Sequence, residues 1–320
     1  MLFSKIIEKK FAEVLGRYDG DPSIKYNHIN DFENLKSETF DVKGDHNIML
    51  KGKFYYYDEF KADKLIVFDH GIGAGHEAYL NEIEYLAKSG FSVYAYDHTG
   101  CALTMGEGIL GFAQGINDLD HVLTTLKNDD RFKGLPLKIM GHSWGAYSCM
   151  NVCALHEEVS HVVSLAGFLS AKSLSEQYIP KAFLKYSKEV MDRERLHNPK
   201  YADMDAIDSL LKSKAKLLHL QSRDDVKVKF DLSCEIMMDK LKERPNTEFI
   251  VLDGHNHDPQ RTKAAKIANE EMLNELNKLN KKNKLADKAA QESFKAKYNW
   301  NQIYEQDPEV WSKIINFLNN

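Results

Sequence analysis

The sequence has few cysteines, no excess of basic residues and no long apolar run, and each shortage excludes a class of protein. Its four cysteines among 320 residues form no Cys-x-x-Cys pair, so we expect reduced thiols rather than a disulfide framework. A net charge of -5 and a pI near 6.2 argue against a nucleic-acid partner. The sequence contains no run of 18 apolar residues, so no membrane-spanning helix is predicted. The N-terminus lacks the apolar core of a signal peptide, so a cytoplasmic location is expected.

The composition and the hydrophobic pattern are those of a globular α/β protein. Hydrophobic residues make up 43% of the chain and charged residues 28%. Short β-rich runs alternate with longer helical runs, which predicts a mostly parallel sheet of about eight strands flanked by helices. The predicted strands are 38–43, 48–57, 64–69, 91–96, 135–140, 161–165, 216–221 and 247–252. Gly-Asp-His-Asn separates the first two, which predicts an antiparallel hairpin.

Two stretches interrupt this alternation. Residues 168–213 contain no strand pattern and read as a helical cap insertion. Residues 261–298 hold nine Lys and one Arg against five Asp and Glu, and they read as a second helical excursion, either a solvated helix or one attracted to an anionic surface. We therefore divide the chain into an N-terminal helical segment (1–37), a core (38–167 and 214–320) and a cap (168–213).

A possible nucleophile lies in Gly141-His142-Ser143-Trp144-Gly145, between a predicted strand and a helical run. This is the strand-turn-helix setting of a G-x-S-x-G elbow, in which small neighbours let strand and helix approach while the serine oxygen projects outward. A serine hydroxyl needs a base and a third group that orients the base. Candidates follow two later strands: Asp224 and Asp225 after the strand at 216–221, and His255 and His257 after the strand at 247–252.

A glycine-rich turn, His70-Gly71-Ile72-Gly73, follows the strand at 64–69. Such a turn can direct the N–H of Ile72 toward the point that the N–H of Trp144 also reaches, and together they predict an oxyanion hole. The glycines fit neither the G-x-x-x-x-G-K-S/T phosphate loop nor the G-x-G-x-x-G dinucleotide turn. The histidines and cysteines show no metal-ligand spacing, so neither a metal nor a cofactor is expected.

Five motifs in order, KLIVFDHGIG, GFSVYAYDHTG, GHSWG, SRDDVKV and DGHNH, resemble the α/β-hydrolase superfamily. The resemblance is strongest to its monoacylglycerol lipase, lysophospholipase and serine-aminopeptidase-like branch, and it covers residues 45–167 and 214–258. It implies Ser143 as nucleophile, Asp225 as acid and His257 as base, with Asp224 and His255 as the second choices. The chain departs from the family pattern after Asp97, where Ala102 and Thr104 stand in the usual Gly and Ser places.

We therefore expect a serine hydrolase that works through an acyl-enzyme. Its expected substrate is a carboxylic ester of small to medium acyl chain, because an alkoxide leaves without the precise protonation that an amine requires. A thioesterase, an acyltransferase, a small-amide or peptide hydrolase and a non-catalytic binding relative are the alternatives. A small-molecule ester is the expected partner, and the oligomeric state is left open. Apolar side chains crowd the cap segment, either packing it onto the core or lining an acyl pocket. We take Phe183 and Met191 as the candidate substrate-binding residues.

Overall fold

The computed structural model describes residues 14–320, apart from the side chains of residues 185 and 186. The first thirteen residues of the expected N-terminal helical segment therefore lie outside the described residues. Between Gly16 and Leu35 the chain is irregular except for the 3-10 turn Ile29–Asp31. Gly20 adopts a φ of 85°, which is incompatible with a helix, so this part of the segment is not helical.

A central sheet contains eight of the ten described strands. In chain order the strands are β1 (Lys36–Thr39), β2 (Val42–Lys43), β3 (Met49–Leu50), β4 (Gly52–Tyr56), β5 (Leu65–Asp69), β6 (Ser92–Tyr96), β7 (Leu137–His142), β8 (Val159–Leu165), β9 (Lys216–Ser222) and β10 (Thr247–Leu252). The sheet order is β1-β4-β6-β5-β7-β8-β9-β10, and all neighbours from β6 to β10 are parallel. The predicted mostly parallel α/β sheet is confirmed.

The two antiparallel strands at one edge come from the predicted hairpin. β1 pairs with β4, Thr39 opposite Lys53, and the short pair β2 and β3 continues the hairpin toward its turn. The chain leaves the main sheet at Phe40, whose backbone N–H still bonds to the Gly52 carbonyl. The predicted runs 38–43 and 48–57 are thus antiparallel but are each divided into two strands.

Helices cover both faces of the sheet. They are α1 (Leu80–Lys88), α2 (Gln114–Asn128), α3 (Trp144–Val152), α4 (Ala171–Tyr178), α5 (Ser187–His197), α6 (Ala206–Lys212), α7 (Cys234–Lys240), α8 (Lys263–Asn280), α9 (Lys288–Lys295), α10 (Trp300–Ile303) and α11 (Pro308–Asn319). α1 and α11 contribute to the core on one face, whereas α2 and α3 contribute to the core on the other. Because both faces are covered, every residue of β5 and β6 is buried.

Helices occupy both stretches that interrupt the alternation of strands and helices in the sequence. Residues 168–213 hold α4, α5, α6 and the 3-10 helix Lys181–Tyr186, and residues 261–298 hold α8 and α9. α8, α9 and α10 share a separate small apolar cluster that includes Met272, Leu276, Phe294 and Trp300. Among residues 14–320, no helix is both long and apolar enough to cross a bilayer.

Candidate active site

Ser143 lies in a strained turn between β7 and α3. Its φ is 55° and its ψ is -111°, a conformation that costs a non-glycine residue about 1–3 kcal/mol and is retained where the surroundings enforce it. A Cβ on Gly141 would overlap the backbone of Gly145, and a Cβ on Gly145 would overlap the backbone of Asp69. The two glycines therefore let β7, α3 and the end of β5 approach closely, and the serine projects from the turn.

His257 connects Ser143 to Asp225. Its Nε2 lies 2.8 Å from the Ser143 Oγ, and its Nδ1 lies 2.9 Å from the Asp225 Oδ2. The other oxygen of Asp225 accepts the backbone N–H groups of Lys227 and Val228 at 2.8 and 2.9 Å. Because Asp225 is held by its own loop, it fixes the orientation of an imidazole that is only 5% exposed.

The second-choice residues face other partners. Asp224 accepts the backbone N–H of Gly254 at 2.9 Å and also bonds the Ser222 hydroxyl, so it joins the loops after β9 and β10. His255 contacts the backbone carbonyl of Arg261 through its Nδ1 at 2.8 Å. Of the two Asp–His choices, the structure brings only Asp225 and His257 to Ser143.

The two predicted oxyanion donors flank Ser143. Ile72 lines the same pocket as Ser143, and Trp144 is the first residue of α3. Neither N–H has a hydrogen-bond acceptor among the described residues. The first N–H groups of a helix have no acceptor within the helix and carry partial positive charge, so the N–H of Trp144 is available to a developing anion.

A buried ionic cluster lies behind the turn. His98 contacts Asp69 through Nε2 at 2.5 Å and Asp118 through Nδ1 at 3.2 Å, and all three side chains are fully buried. Burial alone would lower the pKa of His98, but the two carboxylates raise it to about 9. The ring centroids of His98 and Trp144 are 4.4 Å apart, so the cluster packs against the first residue of α3.

A pocket of about 710 Å³ opens above Ser143, within the range of about 300–1,000 Å³ typical of small-molecule sites. Its lining includes the apolar side chains of Phe112, Phe168, Leu174, Ile179 and Val228. It also includes the polar side chains of Tyr79, Lys227, Asp258, Arg261 and Asn269. The lining therefore offers contacts both to an apolar chain and to polar groups of a small molecule.

Two charged residues of the pocket lining, Asp258 and Arg261, belong to an ion-pair network. Arg261 contacts the buried Glu82 of α1 at 3.1 Å and Asp258 at 4.0 Å. Burial opposes ionisation of Asp258, but Arg261 and neighbouring histidines lower its pKa to about 2. Asp258 is therefore an anion at neutral pH, one residue after His257.

Glu194 of α5 connects the inserted helices to Phe112 of the pocket lining. Its carboxylate, 1% exposed, accepts the N–H of Phe112 at 2.7 Å and that of Ala113 at 3.0 Å. The carbonyl of Phe112 in turn accepts the indole N–H of Trp144 at 2.6 Å. Glu194 thus fixes a pocket-lining residue that also contacts the elbow.

The structure does not bring Phe183 or Met191 to the pocket. Met191 is buried in the main core, and Phe183 lies in the 3-10 helix that follows the pocket-lining segment. The inserted helices reach the pocket through residues 174–180 instead. Sequence reasoning also missed Val14 of the N-terminal segment and Arg261 and Asn269 of the helical excursion. No local pattern shows which side chains of such segments turn toward a distant strand end. Within residues 14–320, no group of three or more His, Cys, Asp or Glu side chains is arranged so that it could hold a metal ion.

Comparison with known proteins identifies the family of this chain. A family model described as serine aminopeptidase, S33, matches residues 61–259, more than half of the chain. The chain belongs to this α/β-hydrolase family. A monoglyceride lipase of Saccharomyces cerevisiae is 24% identical over 108 residues. That alignment covers 33% of this chain and 34% of the lipase, so the chain matches about a third of the length of this curated relative.

Solved α/β-hydrolases share the fold of this S33-family member. A Pyrococcus furiosus esterase superposes with a TM-score of 0.59 at 18% identity, covering 84% of this chain and 98% of the esterase. An acylaminoacyl peptidase of Pyrococcus horikoshii superposes with a TM-score of 0.53 at 18% identity, covering 71% of this chain and 38% of the peptidase. At these identities the likeness establishes the fold.

In this S33-family chain the loop after Asp97 is held by hydrogen bonds to Asp97, although two of its residues depart from the family pattern. Ala102, in the usual glycine place, adopts a φ of 43°. Thr104, in the usual serine place, is fully buried and donates its hydroxyl to the Asp97 carbonyl at 2.7 Å. The Asp97 carboxylate accepts the N–H groups of His76 and Leu103 at 2.8 and 3.0 Å. The left-handed turn is therefore made with an alanine, at a cost in strain.

Proposed function

We propose that this chain is a serine hydrolase that cleaves carboxylic esters of small to medium acyl chain through an acyl-enzyme on Ser143. The observation that carries the proposal is the continuous hydrogen-bonded chain from the Ser143 Oγ through His257 to Asp225, with the serine held in a strained turn. Membership of an α/β-hydrolase family and a lipase relative support hydrolysis as the chemistry.

In the proposed reaction, the Ser143 hydroxyl attacks the ester carbonyl and passes its proton to Nε2 of His257. Nδ1 keeps its proton, donated to Asp225, which orients the imidazole and stabilises its charged form. The N–H groups of Ile72 and Trp144 bind the oxyanion, each worth about 3 kcal/mol. His257 then gives the proton to the leaving alcohol, and water hydrolyses the acyl-enzyme by the same steps.

Carboxylic esters are the favoured substrates, because an alkoxide leaving group depends less than an amine on protonation by a precisely positioned acid. The apolar side chains of the pocket lining favour an acyl chain, and its polar side chains favour a polar group elsewhere in the substrate. A thioesterase, an acyltransferase or a small-amide hydrolase would use the same residues.

Labelling with a fluorophosphonate probe tests the proposal directly. Ser143→Ala should fold, lose all labelling and lose nearly all hydrolysis of p-nitrophenyl esters. Ser89→Ala is the matched control, because that exposed serine ends α1 away from the pocket. Undiminished labelling of Ser143→Ala would refute the assignment. Thioesters and aminoacyl amides assayed alongside rank the alternatives.

A further inference from the structure

Tyr79 and His142 connect the loop that carries Gly71 and Ile72, here called the oxyanion loop, to His257. The Tyr79 hydroxyl lies 3.2 Å from the backbone nitrogen of Gly71 and 2.8 Å from Nδ1 of His142. Nε2 of His142 lies 2.8 Å from the backbone carbonyl oxygen of His257. Three contacts therefore run without a gap from the loop before Ile72 to the residue that contacts the Ser143 Oγ.

The chemistry of the groups determines which one donates and which one accepts in each of these hydrogen bonds. A carbonyl only accepts, so His142 carries its proton on Nε2 and donates it to His257. Burial and the nearby His257 lower the pKa of His142 to about 4, so its Nδ1 is unprotonated at neutral pH and accepts the Tyr79 proton. The Tyr79 oxygen is then left to accept the Gly71 N–H.

The backbone at residue 71 is shaped for this arrangement. A Cβ on Gly71 would lie 2.6 Å from the Tyr79 hydroxyl oxygen and 3.3 Å from Nδ1 of His142. Gly71 is not among the residues with a positive φ, so its glycine is explained by this close approach and not by backbone conformation. Any larger residue would push the tyrosine and the histidine away from the loop.

We propose that Tyr79 and His142 are positioning residues, which hold the oxyanion loop and His257 in register around Ser143 through one hydrogen-bonded chain. This inference rests on the proposed function and adds to it two side chains of the pocket lining, whose hydrogen bonds go to Gly71, to each other and to His257 rather than to the Ser143 Oγ. A shift of the base or the oxyanion donors acts on the transition state more than on substrate binding, so the chain should affect kcat and leave KM nearly constant.

Tyr79→Phe tests the proposal with the smallest possible change, because it removes one oxygen and keeps the ring. We expect kcat on a p-nitrophenyl ester to fall about tenfold to a hundredfold, with KM changed less than about threefold. Tyr94→Phe is the matched control: Tyr94 is fully buried and donates its hydroxyl to the Phe40 carbonyl at 2.9 Å, away from the site. A wild-type kcat in Tyr79→Phe would overturn the proposal.

A double variant distinguishes one connected hydrogen-bonded chain from two independent structural effects of the substitutions. If both side chains act through one chain, Tyr79→Phe combined with His142→Leu should lower kcat no further than His142→Leu alone. Losses that multiply would overturn the proposal. Wild-type protein that fluorophosphonate fails to label at Ser143 would refute the proposed function itself, whereas labelled wild-type protein with a fully active Tyr79→Phe variant would refute only the positioning chain.

A measurement on the unaltered protein covers the case in which the variants do not fold. Nitrogen-15 NMR at pH 7 should find His142 neutral, with the proton on Nε2 and an accepting Nδ1. A proton on Nδ1 of His142 at pH 7 would exclude donation from Tyr79 and overturn the proposal.

Discussion

Replacing Glu194 with glutamine should change how the stability of the protein depends on pH. Burial raises the pKa of the Glu194 carboxyl from 4.5 to about 7, against the backbone N–H donors of Phe112 and Ala113 and the nearby Arg193. The folded state therefore holds this proton more tightly than the unfolded state. Its stabilising contribution is complete below pH 4.5 and is lost as the pH rises through about 7.

The size of the effect follows from the pKa change. At about 1.4 kcal/mol for each pKa unit, raising the pKa from 4.5 to about 7 corresponds to about 3 kcal/mol of unfolding free energy. Glutamine has nearly the same shape and does not titrate. The unfolding free energy of the wild type minus that of Glu194→Gln should thus decrease by about 3 kcal/mol between about pH 4.5 and 8.

Urea unfolding at several pH values measures this difference. Contributions from the buried histidines are common to both proteins and cancel in the subtraction. Glu189→Gln, an exposed position on the same helix, should not alter the pH dependence. A difference that stays constant with pH would show that Glu194 titrates as an ordinary carboxyl, and one that grows with pH would show that folding lowers its pKa. Either result would refute the reasoning.

Three further predictions concern the loops and the pocket. Asp225→Asn should lower ester turnover by orders of magnitude, whereas Asp224→Asn should mainly lower the melting temperature; the reverse ranking in kinetic and melting assays would exchange their roles. kcat/KM should rise about three- to fourfold for each added methylene up to a medium chain, and Leu174→Trp should move the optimum to shorter esters. A flat profile with p-nitrophenyl esters would contradict an acyl pocket. Ala102→Gly should stabilise the protein by about 0.5–1 kcal/mol in urea titrations, because the φ of 43° favours glycine; a destabilised variant would contradict the strain.

The parts of the molecule predicted from the sequence are those with a local physical signature. Leu65–Asp69 is recognisable because a strand covered on both faces is almost wholly apolar. Ser143 is recognisable because close approach of strand and helix requires glycine on both sides of it. Asp225 and His257 follow from their strand ends, but the choice over Asp224 and His255 needed the resemblance, since neighbouring residues share the same local pattern.

The parts that were missed depend on packing between distant segments. Met191 has the apolar character of a pocket residue, yet its face of α5 packs into the core, and residues 174–180 reach the pocket instead. Glu194 gives no local signal, because its partners, Phe112 and Ala113, lie far away in the sequence. Arg261 lies in a Lys-rich stretch that reads as solvated, although its guanidinium is almost completely buried against Glu82.

β10 lies at an edge of the sheet, and this position affects the order in which parts of the protein unfold and fold. This strand has a partner on one side only, β9, and most of its residues are partly exposed, yet the chain that leaves it carries His257. Edge elements with fewer buried contacts open at lower free energy than the centre of a sheet. Mild denaturant should therefore abolish turnover before the central strands unfold. During synthesis, no activity should arise until the chain beyond β10 has emerged and docked.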